Sequence, residues 1–442
     1  MGADHFTKGN RRELSDEGAR KFGHSPYLVK NGRHHEVVIS QPSHVKEFYA
    51  QDGSDHQKLH DCNMGSMFAR TLGSCVGVQN GANWKNTRSY LEGHFSFASA
   101  ASFVQDTQRT INSWVQDLSR ESSVKDQSAG SFSCDASTVC RQLPFRLIAM
   151  ALYGPVFSES IFERLWDLNE LHEQVTGVTF LSPLAATRLY RWLPTKENST
   201  LKEFNRRWKE LTLEVIARAR KMGVSCPVEG MYQAVEQGKM DMKTFLQSTD
   251  EILFTNIDVT SSMFAYCLIN LGRNSDDQED LRTEIREKSV TSDSLLRYIQ
   301  DENNLLHQSY LEILRNSPPR FSLPELTAKD KSIGGYLIPR GTPVIIDVRR
   351  LNQDSPTWAP DGTAFRPSRW ESISRMDARY SLYGYGLGPR KCLGKNFASI
   401  MIKLLIITAL ENYKLSAEVD LKTRRDRWTC TPNSVVSFGK LS

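Results

Sequence analysis

Residues 383–394 read YGYGLGPRKCLG. They place Cys392 in a glycine-rich loop directly before an apolar helical pattern formed by Phe397, Ile400, Met401, Leu404 and Leu405. Gly384, Gly386, Gly388 and Pro389 allow a tight fold in which backbone amides point inward at one atom. Amides aimed at a sulfur stabilise its thiolate, and so does the start of a helix dipole. A thiolate held in that way suits a soft or redox metal. A lone cysteine is more often an inert buried side chain, so the reading needs support from the rest of the chain.

Four other stretches supply it. Residues 84–88, WKNTR, put Trp84 and Arg88 one helical turn apart on a shared face. Alone, that spacing equally describes an ordinary amphipathic helix. Glu312 and Arg315 stand at i and i+3, a spacing that pairs charges on a helix. Residues 334–348, GGYLIPRGTPVIIDV, read as a strand, a Pro-Arg-Gly-Thr turn and a second strand. Residues 365–370 read FRPSRW. Together and in this order the five stretches resemble the cytochrome P-450 family, over nearly the whole chain from about residue 27. The family's Phe-x-x-Gly-x-Arg-x-Cys-x-Gly pattern appears as Tyr385, Gly388, Arg390, Cys392 and Gly394. Tyr385 keeps the aromatic ring of the usual Phe and adds a hydroxyl beside the sulfur.

The resemblance implies a mainly α fold with small β-sheets, one catalytic domain over residues 1–442. A heme b lies in it between a long distal helix and the helix that follows the cysteine loop. It makes Cys392 the thiolate ligand of the iron. It assigns Trp84, Arg88 and Arg390 to the heme propionates, and joins Glu312, Arg315 and Arg369 in a buried triad that holds the loop beneath the cofactor.

Residues 248–271, STDEILFTNIDVTSSMFAYCLINL, form a long apolar-periodic pattern that resembles the family's distal helix. The family pattern there is Ala/Gly-Gly-x-Asp/Glu-Thr-Thr/Ser. This chain has Thr255, Asn256, Ile257, Asp258, Val259 and Thr260. The acid remains as Asp258, a proton carrier by resemblance. The following threonine, which orders water for proton delivery, is replaced by Val259, which has no hydrogen-bonding group. Thr260 is rotated by about 100° around the helix axis. Thr255 and Asn256 share a face with Val259 and can order the water instead, or bond only their own helix backbone.

Composition bounds the rest. The 442 residues carry a net charge of +5, with no basic run interleaved with aromatics that would indicate nucleic acid. The eight cysteines are scattered and form no zinc-type spacing, which favours a reducing, cytosol-facing environment over a disulfide scaffold. No stretch reaches the ~18 consecutive apolar residues of a membrane span. Eukaryotic relatives usually start with an anchor, whereas this sequence starts MGADHFTKGN. The expectation is the cytosolic face of the endoplasmic reticulum if a native anchor was removed, and otherwise the cytoplasm. Residues 181–194, LSPLAATRLYRWLP, mix aromatics, aliphatics and arginines. They suit peripheral contact with a membrane or an ordinary partly buried loop.

Elsewhere the pattern predicts a hairpin over residues 27–40 with its turn at Asn31-Gly32, a helix from about Ser43 and an irregular roof over 52–82. It also predicts a mobile polar loop over 120–137. The expected activity is heme-dependent monooxygenation of an apolar or semi-polar natural product. Electrons come from an NADPH-cytochrome P-450 reductase that meets Lys85, Lys391 and Lys395. Pro324-Glu325 and Asn352-Gln353-Asp354-Ser355 depart from the usual family segments. With Val259 they resemble fungal secondary-metabolism members. A heme-thiolate enzyme that couples, desaturates or rearranges its substrate is the nearer alternative, and a non-catalytic heme-binding protein the more distant one. Specificity is expected from residues 64–78, 253–257, 320–323 and 433–436.

Overall fold

The helix Lys395–Asn412 is buried almost all round, with Phe397, Ile400, Met401, Leu404 and Leu405 joined by Ile402, Ile406, Ile407 and Leu410. A helix apolar on every face belongs inside a large core. Against it pack the helices Phe97–Ser102, Val104–Glu121, Ile257–Arg273, Ser275–Lys288 and Leu305–Asn316. Its one internal cation, Lys403, donates from Nζ to the Ile299 carbonyl at 2.7 Å and lies 3.0 Å from Nδ1 of His307. Burial pulls the Lys403 pKa down to about 8 and that of His307 down to about 4.

This arrangement comes from a computed structural model, which describes residues 11–31, 34–121, 131–317, 321–423, 429 and 432–441. The fold is mainly helical with small sheets, as expected. A second apolar cluster joins the helices Gln142–Tyr153, Glu159–Leu181, Lys196–Met222, Pro227–Glu236 and Met242–Asp250. Phe254 sits among Phe145, Phe204 and Trp208 in that cluster.

The sheets lie to the side. Strands β1 (Tyr27–Asn31) and β2 (His34–Ile39) form the expected hairpin, with Tyr27 opposite Val38. Gly32 of its turn lies outside the described residues. The short strand β3 (Gln57–Lys58) and β4 (Phe132–Asp135) come next in the chain. They are followed by β5 (Glu325–Leu326), β6 (Lys331–Ile333), β7 (Tyr336–Ile338) and β8 (Pro343–Ile346). The last two are β9 (Tyr413–Thr423) and β10 (Pro432–Lys440). The main sheet has the order β1-β2-β8-β5-β3, and β2 runs parallel to β8 with Val37 opposite Val344. That pairing brings the start of the chain to the segment behind the Glu312 helix.

Residues 334–348 give the two expected strands, β7 pairing with β6 and β8 joining the main sheet. Three local expectations need correction. The roof over 52–82 is less irregular than its glycines suggest, since Met67, Phe68, Thr71 and Leu72 bury one face of a helix, Ser66–Leu72. The polar stretch 120–137 is not a loop throughout. Residues 132–135 pair with β10 through Phe132, which stacks on Phe438 at 4.7 Å; residues 122–130 lie outside the described residues. The distal helix is not continuous, because a π-helical turn, Glu251–Thr255, separates Met242–Asp250 from Ile257–Arg273. The helical stretch Met242–Arg273 is long and apolar enough to cross a membrane, but two thirds of its apolar window is buried within the protein.

Candidate functional site

Gly386 and Gly388 adopt φ of 78° and 69°, the left-handed backbone that glycine accepts without cost from a side chain. Those two residues turn the cysteine loop so that the Cys392 amide donates to the Tyr385 carbonyl at 2.9 Å. By surface area Cys392 is exposed, yet protein surrounds the thiol at longer range. Burial pushes the thiol pKa up; the Gly394 amide, Arg88 and the Lys395 amide oppose it, while Glu251 adds to it. The Tyr385 hydroxyl is engaged elsewhere: it accepts from the Tyr310 hydroxyl at 3.0 Å.

Trp84 and Arg88 lie on the helix Gly81–Glu92, and the structure brings Arg390 to them. The Arg390 guanidinium stands 4.6 Å from the Trp84 ring centre, and that of Arg88 5.7 Å. Arg88 donates to the Lys391 carbonyl at 3.0 Å and pairs with Glu92. Arg390 donates to the Gln79 carbonyl at 2.6 Å and to Oδ1 of Asn80 at 3.1 Å. Among the described residues Arg390 has no carboxylate within ion-pair distance. Burial lowers its pKa, Glu325 opposes that, and the like charge of Arg88 adds to it. Two cations flanking one indole in this way favour an anion between them.

The triad is assembled as expected and extends further. Glu312 accepts from Nε and Nη2 of Arg315 at 2.9 and 2.6 Å and from Nε of Arg369 at 2.9 Å. It also accepts from the Trp370 indole and the Arg366 amide, each at 3.0 Å. Arg315 continues to the carbonyls of Asn352 and Ala364 at 2.9 and 2.8 Å, and the Trp358 ring lies 5.2 Å below its guanidinium. Glu312 and Arg315 are wholly buried.

On the other side, the π-turn faces a cavity of about 390 Å³. Thr255, Asn256, Asp258 and Val259 line it together. Asn256 donates to the Glu251 and Ile252 carbonyls at 2.7 and 3.3 Å, so its amide serves the turn's own backbone. The Thr260 hydroxyl donates to the Asn256 carbonyl at 2.8 Å and does not join the cavity wall. Asp258 stays on the wall, with its carbonyl accepting from the Thr429 hydroxyl at 3.0 Å. The backbone-bonding alternative thus describes Asn256, and Thr260 likewise bonds its own helix.

Three amides of the roof are bonded by side chains of the distal segment. Ser74, Val76 and Gly77 donate to Gln247, Ser248 and Glu251 at 2.7, 3.1 and 3.0 Å. A β-carbon on Gly77 would lie 2.0 Å from the Glu251 carboxyl, so a larger residue there would push that side chain aside. Burial raises the Glu251 pKa, opposed by the Gly77 amide and the Cys75 thiol. Residues Met64, Phe68, Leu72, Cys75 and Val78 of the roof, and Leu323, line the cavity as expected. Arg320 lies outside the described residues, and 433–436 are not part of this wall. Sequence reasoning missed the helix Glu159–Leu181, which contributes His172, Glu173, Thr176 and Thr179. It also missed Glu251, although two adjacent acids in an apolar helix were a signal for it.

Residues 5–436 match the family model described as cytochrome P-450. The chain belongs to the cytochrome P-450 family. The cytochrome P-450 monooxygenase lepD of Aspergillus flavus is 39% identical over 412 residues, 93% of this chain and 81% of that protein. The monooxygenase opdB of Penicillium oxalicum is 36% identical, covering 92% and 81%. The monooxygenase apdB of Emericella nidulans is 34% identical, covering 92% and 83%. This P-450 is an oxidoreductase of the monooxygenase type with fungal relatives, and its family implies a heme.

One departure from the family pattern, Pro324-Glu325, has its charge met inside the protein. Lys58 meets Glu325 at 2.7 Å with His56 at 3.4 Å. Burial alone would raise the Glu325 pKa; Lys58 and His56 override it and hold the carboxyl down at about 2. Lys58 also donates its amide to Asn80, the residue that Arg390 contacts. The carboxylate is thus neutralised within the protein by Lys58 and His56.

Breaking a buried ion pair by removing one partner typically costs ~3–5 kcal/mol. Glu312→Ala strands two guanidiniums and an indole N–H at once. The expected outcome is loss of most heme from the purified protein and a lowered Tm, measured by heme content per protein and thermal melting. Wild-type values in both would remove this network from the list of folding requirements.

Proposed function

We propose that this P-450 is a heme-thiolate monooxygenase, its 442 residues one catalytic unit, inserting one oxygen atom of dioxygen into an apolar or semi-polar natural product. The other oxygen leaves as water, and an NADPH-cytochrome P-450 reductase provides the two electrons. The observation that carries the reading is the place of Cys392 on a loop turned by Gly386 and Gly388, directly before the buried helix Lys395–Asn412 and with Arg88 and Arg390 gathered on the Trp84 ring. When bound, heme b supplies the redox chemistry that splits dioxygen. Cys392 is the residue that would ligate its iron. Trp84, Arg88 and Arg390 would hold its propionates, in keeping with the guanidinium of Arg390 that lacks a carboxylate partner among the described residues.

The chain's own part in turnover is to bind, to exclude water and to deliver protons. Met64, Phe68, Leu72, Val78, Phe254 and Leu323 give the cavity its apolar walls. Asp258 is the proton carrier in this reading, and Thr255 the nearby hydroxyl that faces the same cavity. On the opposite face, Lys391 and Lys395 line a broad recess of about 1190 Å³ beside Tyr310 and Tyr385, and Lys85 is exposed. A cationic rim of this kind suits an acidic reductase. Val259 beside Asp258 also favours a second reading, oxidative coupling, desaturation or rearrangement of the substrate. Mass analysis of products separates the two, since only hydroxylation adds one oxygen.

Leu184, Leu189, Trp192 and Leu193 are exposed by 54, 74, 72 and 40%, with Arg188 and Arg191 exposed among them. We read this face as a peripheral membrane contact and place the enzyme at the cytosolic face of the endoplasmic reticulum. Replacing Leu189 and Trp192 by Ser is expected to lower co-flotation with vesicles of mixed neutral and anionic phospholipid several-fold. Unchanged flotation counts against this face.

Cys392→Ala is expected to abolish the thiolate signature of the ferrous–carbon monoxide spectrum, whereas substitution of any other cysteine leaves it in place. Persistence of the signature in Cys392→Ala would falsify the ligand assignment.

Asp258→Asn is expected to slow turnover by ~10²–10⁴-fold, the usual contribution of general acid–base groups. Val259→Thr changes overall rate much less and shifts the ratio of product to peroxide. The measurement is product formed per NADPH consumed with a reductase present. Unchanged turnover and coupling in Asp258→Asn remove that residue from proton delivery.

A further inference from the structure

The segment Arg188–Trp192 is a short 3-10 helical turn. With three residues per turn, side chains at i and i+3 eclipse, so the turn has three sides. Tyr190 fills the inward side, buried with Met67, Val175, Ala185 and Leu201. Leu189 and Trp192 share a second side and are exposed. Arg188 and Arg191 share the third and are exposed too, with the Arg191 guanidinium 4.5 Å from the Trp192 ring centre. Residues 182–196 contain no Asp or Glu. A third cation comes from the cavity roof. Arg70, half-buried on the helix Ser66–Leu72, donates to Oδ1 of Asn198 at 2.5 Å and to the Met67 sulfur at 3.8 Å. Burial lowers its pKa, and the like charge of Arg191 lowers it further; Tyr190 opposes them. Among the described residues none of the three arginines forms an ion pair with a carboxylate. Glu197, the first acid after the turn, accepts from the Tyr190 hydroxyl at 2.9 Å. The segment that leads into the turn is stitched to the roof. The Ser66 and Met67 amides donate to the Ala186 and Ala185 carbonyls at 3.0 and 3.1 Å. Phe68 and Leu72 of the same roof helix line the cavity.

Guanidiniums gathered without a counter-ion beside an exposed indole favour an anion held next to apolar matter. We infer that Arg70, Arg188 and Arg191 bind the headgroup of an anionic phospholipid while Leu189 and Trp192 enter its acyl layer. The inference rests on the membrane-contact reading of this face, and adds the lipid class and the residues that select it. A phosphodiester suits the site because a guanidinium fork grips two of its oxygens. A free phosphate would leave Leu189 and Trp192 in water, whereas a phospholipid satisfies both sides of the turn. The cation of a choline headgroup would add a further positive charge to three that already lack a partner, so the site selects headgroups of net negative charge. A lipid held there rests against the helix whose other face roofs the cavity.

The test is co-flotation of the full heme-loaded chain with vesicles of phosphatidylcholine alone and of phosphatidylcholine mixed with phosphatidylserine, at fixed ionic strength. Each arginine is expected to supply about fivefold of the wild-type preference for the mixed vesicles, the worth of one basic residue at an anionic surface. Arg188→Gln together with Arg191→Gln is thus expected to lower that preference about twenty-fivefold. Lys209→Gln with Lys221→Gln removes as much charge from exposed positions of the helix Lys196–Met222, and is expected to change it less than about twofold. Arg70→Gln lowers the preference about fivefold, and Arg70→Lys, which keeps the charge, retains most of it. The exposed pair carries the test if Arg70→Gln does not load heme. Equal losses in the arginine and lysine pairs, an unchanged preference in heme-loaded Arg70→Gln, or a wild type that floats equally with both vesicles overturns the three-arginine site and leaves the membrane contact standing. A wild type that floats with neither overturns the membrane reading itself, and the headgroup site with it.

Discussion

A single carboxylate, Glu312, organises the proximal half of this protein. Its two oxygens gather two guanidiniums, an indole N–H and a backbone amide from a helix and from the segment 366–370. In a low-dielectric interior each of these donors would be costly to leave unpaired. Arg315 then passes the constraint on to the carbonyls of Asn352 and Ala364. Asn352 returns it to the cysteine loop, because its Oδ1 accepts from the Tyr383 amide at 2.8 Å. The position of Cys392 is therefore fixed through a chain of charge-assisted contacts that starts some eighty residues earlier.

The distal half is held by different means. No ion pair joins the roof to the distal segment among the described residues; backbone amides meet the side chains of Gln247, Ser248 and Glu251 instead. Between the halves lie cations that face inward. Arg390 and Arg88 share the Trp84 ring, and Lys58 restores the balance that Glu325 would otherwise upset. Proximal rigidity, an anion-seeking middle and an apolar distal chamber are three separate solutions to burying polar groups in one interior.

The sequence revealed the proximal half best because its chemistry is local. Glycines at fixed offsets, a cysteine before a helix and charges at i and i+3 all act within one turn or loop. Trp84, Arg88 and Arg390 were legible only through resemblance, since nothing in their spacing says that residues some three hundred apart share one ring. The π-turn was hidden because its apolar residues, Ile252, Leu253 and Phe254, fit a plain helix equally well. It becomes apparent only through Asn256, whose amide satisfies carbonyls that the extra residue leaves behind. His172 gave no signal at all: a lone histidine in a helical pattern has meaning only once Asp250 is seen beside it. Glu325 misled for a related reason, since its partner Lys58 comes from a two-residue strand far upstream.

The three amide contacts between roof and distal segment carry a consequence for how this enzyme can be recombined with its relatives. Ser74, Val76 and Gly77 present bare backbone to side chains of another segment, and a β-carbon at Gly77 would displace the Glu251 carboxyl. Residues 70–78 and 247–251 therefore form one structural unit despite lying about 170 residues apart. A crossover between them in a chimaera sets a foreign backbone against Gln247, Ser248 and Glu251. A crossover that moves both segments together preserves the roof. Exchange of specificity among such enzymes thus follows the hydrogen bonds of the chamber, not the linear order of its walls.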